Sequence, residues 1–218
     1  MRDDPTTRLA GLIVVGTGVL WGFYWLPVRR LAELGLPGAW GTLAIVAAAV
    51  VVTAPPALRR ASRLAATDPR ALAGVALGGV AFALYSVGFV YGRVAIVILL
   101  FFLTPVWSTL IARFVLGRPQ PALRVAAIVL GLVGLAVMLA AGGEVPLPRS
   151  VGEWLALASG LLWAIASTLL AGRPGPAPAA AALVFALGAT LVAAAGQRHP
   201  LLRRPGRAGS RRPRQVGG

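Results

Sequence analysis

The chain has 218 residues, of which 58% are hydrophobic and only 12% are charged. Soluble domains carry about 25% charged residues, so an ordinary soluble fold is excluded, and so is disorder over most of the length. The net charge of +15 comes entirely from arginine. Most of those arginines stand at the ends of apolar runs, where they flank membrane helices rather than mark a nucleic-acid surface.

Seven runs contain no Asp, Glu, Lys or Arg: 9–28, 34–58, 71–92, 94–112, 125–143, 154–172 and 174–197. Each matches the ~20 helical residues that cross a bilayer core of about 30 Å. A β-barrel would show alternating segments of ~10 residues instead. The runs predict an all-α polytopic membrane protein with six to seven transmembrane helices, here called spans one to seven. The chain has no cysteine and one histidine, His199, which excludes disulfides and thiolate metal sites.

Span one follows Arg2 and Arg8, as the apolar core of a signal peptide would. It runs unbroken into Pro27-Val28-Arg29-Arg30 with no small-x-small cleavage site, so it is expected to be retained. Thr17, Trp21 and Tyr24 fall at i, i+4 and i+7, on one side of the helix. Gly18 and Gly22 form a small-xxx-small pair, as do Gly74 and Gly78 in span three and Ala127 and Gly131 in span five. Such pairs let helix backbones approach closely in lipid. Span three places Phe82, Ser86 and Phe89 on one strip, with Tyr85 beside it and Arg93 at its end.

Span four carries the most distinctive stretch, Leu99-Leu-Phe-Phe-Leu-Thr-Pro-Val-Trp-Ser-Thr-Leu110. Pro105 has no N–H and crowds the carbonyl of Phe101, so a kink is expected near the membrane midplane. Thr104 and Ser108 either satisfy the freed backbone groups or face a solute. Trp107 lies within a turn of the proline, and Arg113 is expected to snorkel to the interface.

Span six repeats span one. Residues 12–21 (LIVVGTGVLW) and 154–163 (WLALASGLLW) share Gly-x-Leu-Trp, ending at Trp21 and Trp163. The copies are five spans apart, so equivalent helices enter the membrane in opposite directions, as in inverted-repeat transporters. Ser159, Trp163 and Ser167 give span six a strip of hydroxyls around an indole, like that of span one. Trp21 and Trp163 lie mid-span, where two readings stand: cavity lining or packing.

Span seven opens on Pro174-Gly-Pro-Ala-Pro178 and is the weakest run, with a usable core near 179–196. With seven spans, the N-terminal side carries ten arginines (2, 8, 59, 60, 63, 70, 113, 118, 124 and 173) and the other side four (29, 30, 93 and 149). Positive charge favours the cytoplasm, so a cytoplasmic N-terminus is expected. The tail 197–218 breaks the pattern, because it would lie outside with seven arginines and no acid. It is expected to be a disordered basic segment, either contacting anionic lipid or foreign to the fold.

No acid falls inside any run: Asp3, Asp4, Glu33, Asp68, Glu144 and Glu153 all stand in ends or loops. Proton coupling through an intramembrane carboxylate is therefore unsupported. No Ser–His pair, Asp pair, metal-ligand set or phosphate loop marks an enzyme. No cofactor is expected.

Leu20-Trp21-Gly22, Phe82-Ala-Leu-Tyr85-Ser86, Leu100-Phe-Phe-Leu-Thr-Pro105-Val-Trp107, Leu116-Gly117, Gly131-Leu-Val-Gly134 and Gly160-Leu-Leu-Trp163 together resemble the drug/metabolite transporter superfamily, EamA type. The resemblance covers about residues 9–172. It implies a complete five-helix repeat over 9–142 and a partial, inverted second repeat over 151–196, of span six and a doubtful span seven. Arg118 stands where members of the family often carry Glu. By the same resemblance the chain is expected to be a truncated or frame-shifted form of a ten-helix carrier.

The resemblance implies an inner-membrane permease for small metabolites or drugs, working by alternating access and exporting its solute. Trp21, Tyr24, Tyr85, Thr104, Trp107 and Trp163 are the residues expected to line the path. The partners expected are a small-molecule solute and membrane lipid, with no nucleic acid; a homodimer is compatible with the sequence. The rival is a non-transporting membrane subunit or an inactive partial product.

Overall fold

A computed structural model describes residues 5–36, 39–59, 64–141, 143 and 147–198. All regular structure among them is helical: α1 (Pro5–Phe23), α2 (Trp25–Glu33), α3 (Trp40–Leu58), α4 (Pro69–Tyr91), α5 (Val94–Phe101), α6 (Thr104–Leu110), a π-helical turn (Ile111–Val115), α7 (Ala122–Ala141), α8 (Val151–Leu170) and α9 (Pro178–Arg198). Lipid offers no hydrogen bonds to a backbone, so helices that satisfy themselves are the expected solution. Six stretches are long and apolar enough to cross a membrane: Gly11–Glu33, Trp40–Leu58, Pro69–Tyr91, Val94–Val115, Val151–Leu170 and Pro178–Gly196. The fifth run adds the shorter apolar helix Ala122–Met138. The chain is an all-α, multi-pass membrane protein.

The helix boundaries have local causes. Asp68 caps α4 by accepting from the Arg70 N–H at 2.8 Å, and Pro69 takes the first helical position. Ser150 and Glu153 form a reciprocal capping box at the start of α8. Span four breaks between Phe101 and Thr104, where Pro105 removes the N–H that Phe101 would accept. The Thr104 hydroxyl donates to the Phe101 carbonyl at 2.6 Å instead. At the far end of span four, Gly117 takes φ +64°, and the Arg118 N–H reaches back to the Ala112 carbonyl at 2.9 Å.

The centre of the bundle is α4, packed between α8 and α9, with α9 also lying on α3. The α4–α8 seam is antiparallel and built from small residues. A β-carbon on Gly74 would sit 3.0 Å from the Ala166 carbonyl oxygen. Ser159 donates to the Ala81 carbonyl at 2.7 Å. A β-carbon on Gly88 would sit 3.0 Å from the Gly152 carbonyl oxygen. Contacts thus recur every seven residues along each helix, about 10 Å per step, the spacing of a left-handed coiled seam.

The tightest approach of α4 to α9 lies elsewhere. A β-carbon on Gly79 would collide with the Phe185 carbonyl, and one on Gly188 with the Ala76 carbonyl. Span seven, despite its opening prolines, is therefore held by backbone-to-backbone contact, and Ala189 and Ala193 on it are fully buried. Helices α1 and α7 are peripheral. The pair Gly18 and Gly22 has no atom within 4 Å of either would-be β-carbon, and the same holds for Gly131. The helix-packing role expected of those two small-residue pairs is not met within the chain, because no described helix lies against them.

Candidate functional site

Rings from five spans meet in one continuous series. Trp21 and Tyr24 of span one stand 5.7 Å apart and both face Phe82 of span three, at 5.9 and 5.3 Å between centroids. Phe82 meets Phe185 of span seven at 5.5 Å, and Phe185 meets Trp163 of span six at 6.4 Å. Trp163 meets Phe101 of span four at 6.0 Å, and Phe101 returns to Tyr85 of span three at 4.5 Å. All are tilted or edge-on, within the 4.5–7 Å range of favourable ring pairs, each contributing about 0.5–1.5 kcal/mol beyond area burial.

Few polar atoms punctuate this wall. The Tyr24 phenol and Ser86 hydroxyl share a hydrogen bond of 2.8 Å. Thr104, besides its bond to Phe101, lies 3.3 Å from the Gly160 carbonyl and so ties the span-four break to span six. The Trp107 indole N–H is buried without a partner among the described residues, which costs about 1–3 kcal/mol if it stays unmade. Beside Trp21 a hollow of about 160 Å³ is bounded by Thr17, Leu20, Trp21 and Tyr24.

Of the six residues expected to line a path, the ring series joins Trp21, Tyr24, Tyr85 and Trp163, and Thr104 sits against it through Phe101. Trp107 joins none of these ring pairs among the described residues. Ser159 faces α4 rather than an open space, and Ser167 bonds back to the Trp163 carbonyl at 2.8 Å, so the two hydroxyls of the span-six strip bond to backbone. Phe185 was not foreseen. Its signal is that of the only aromatic ring in an otherwise Ala-rich helix.

Charged clusters close both ends of the α4–α8 pair. At one end Glu153, only 1% exposed, accepts from Arg93 Nε at 2.8 Å and from the backbone N–H of Arg149 at 2.6 Å. Arg29 donates there to the carbonyls of Phe89 and Gly92 at 3.2 and 3.0 Å, capping the C-terminus of α4. Glu153 stands at a helix end, as its charge predicts, the third residue of α8; it is nevertheless buried, held by arginine and backbone donors. At the other end Asp68 pairs with Arg173 at 3.2 Å, each about a third exposed.

The sequence profile of the EamA-like transporter family matches residues 8–140, more than half of the chain. The chain belongs to that family. No curated protein and no solved structure matches it. Within this EamA-family chain, Trp21, Tyr24, Phe82, Tyr85, Phe101 and Thr104 fall inside the matched part, while Trp163 and Phe185 fall beyond it. The ring series thus spans both.

Proposed function

We propose that this protein is a permease for small metabolites or drugs, with the aromatic series as the wall of its solute path. The single observation that carries the reading is that series: rings from spans one, three, four, six and seven in contact, with no ionised side chain among them. Such a wall offers apolar faces and π-electron density together with a few hydroxyls. It suits a neutral or zwitterionic solute better than an ion that would shed its hydration without a counter-charge.

The arrangement of rigid and yielding parts supports a reading of alternating access. The Arg93–Glu153 cluster and the small-residue seam hold α4 and α8 together as one body. Span four yields at Phe101–Thr104, where a side-chain hydroxyl replaces a backbone bond. The Asp68–Arg173 pair, each partner about a third exposed, is the weaker closure, since exposed pairs contribute about 0–1 kcal/mol. With ten arginines on the N-terminal side against four in the loops opposite, the seven of the tail set aside, that weaker end is read as cytoplasmic, the end from which an inner-membrane exporter loads.

The test is flux. Purified full-length protein in vesicles should move at least one member of a panel of amino acids and uncharged drugs, and Trp163→Ala or Trp21→Ala should slow it. No flux for the whole panel would favour a non-transporting membrane subunit.

A further inference from the structure

Where span four breaks, it leaves span five standing apart. Between them runs a groove of about 490 Å³, walled by Phe102 and Pro105 on one side and by Arg124, Ala127, Gly131 and Leu135 on α7. Those α7 positions form one stripe at helical spacing. From Arg124 to Leu135 the stripe is about 16 Å long, roughly half the hydrocarbon thickness. The groove therefore begins at the membrane surface and descends to near the midplane. Its floor is small: a β-carbon at Gly131 would have no atom within 4 Å.

The mouth is cationic. Arg124 gives one N–H to Gln120 at 3.2 Å, and its other guanidinium donors have no partner among the described residues. Arg113 and Arg118 are exposed and belong to the same membrane end. No acid occurs between residues 69 and 143 to neutralise them. We propose that this groove is a phospholipid site: an acyl chain lies along Ala127, Gly131 and Leu135, and Arg124 binds an anionic headgroup through its phosphate. A second copy of the chain fits less well. A two-fold axis along the membrane normal would bring the same arginines face to face.

The experiment is lipid retention by the full chain. Protein is reconstituted in vesicles of equal phosphatidylglycerol and phosphatidylcholine, released in detergent, and weighed with its bound lipid by native mass spectrometry. The wild type should keep phosphatidylglycerol over phosphatidylcholine by about fivefold, the preference one arginine gives at an anionic surface. Arg124→Gln should bring the two lipids to parity. Gly131→Leu should lower retention of both, while Gly11→Leu on the exposed face of α1 should change nothing. Equal retention of both lipids by the wild type would overturn the assignment, as would a phosphatidylglycerol preference surviving Arg124→Gln. A complex that falls from two chains to one on Gly131→Leu would also overturn it, by giving the groove to a second copy.

Discussion

Glu153→Gln tests the packing of the bundle most sharply, because it removes one charge and almost no volume. The carboxylate is 1% exposed and its arginine partner 33% exposed. Breaking a fully buried pair by neutralising one partner costs about 3–5 kcal/mol. Solvent reaching Arg93 reduces that, so about 2–3 kcal/mol is expected here. The amide keeps an acceptor oxygen for the N–H groups of Arg149 and Ser150, which point at the same carboxylate oxygen at 2.6 and 3.3 Å, but sets its own donor where Arg93 Nε points, at 2.8 Å. Glu153→Gln, Arg93→Gln and the double variant form a cycle, read by reversible unfolding of the full chain in mixed micelles. The two single losses should sum to about 2 kcal/mol more than the double. A coupling below about 0.5 kcal/mol would refute the reasoning and reduce the pair to an interfacial contact of the ordinary surface kind.

Other substitutions probe separate links. Gly79→Leu should cost more than about 3 kcal/mol in the same unfolding assay, since its side chain meets backbone of α9, whereas Gly16→Leu on open α1 should stay within about 0.5 kcal/mol. Ser159→Ala removes a buried bond to the Ala81 carbonyl and should cost about 0.6 kcal/mol, and not more than about 1.7, the range of interhelical bonds in membranes. The absence of cysteine makes topology readable. Arg59→Cys and Arg118→Cys should be shielded from an impermeant thiol reagent applied to whole cells, and Arg30→Cys should react.

Much of the architecture is written in the spacing of charge, because a lipid core admits few ionised groups and so marks its own thickness on the chain. The proline break is equally local: Pro105 and Thr104 carry both the fault and its repair. What charge spacing hides is pairing. Glu153 ends a run by its type, yet it is buried because Arg93 neutralises it from sixty residues away. Small-residue motifs also mislead when taken pairwise. Gly74 meets α8, but Gly18 and Gly22 meet nothing, and the closest contact comes from Gly79 and Gly188, which form no such pair with each other. The heptad seam needs both strips at once, Gly74, Ala81 and Gly88 against Gly152, Ser159 and Ala166. Trp21, Tyr24 and Trp163 stand out as aromatic residues in apolar helices. Phe185 stands out too, as the one ring of its helix, but its meaning depends on a packing that only the fold reveals.

The central claim is that the ring series borders the solute path. Phe82→Cys and Phe185→Cys, each in the cysteine-free full chain in vesicles, place a thiol on spans three and seven at the heart of the series. A small water-soluble thiol reagent should label both, and a transported solute should slow that labelling while leaving Arg30→Cys unaffected. If neither position reacts while Arg30→Cys does, or if solute never protects them, the rings are packing alone and the account of the path is wrong.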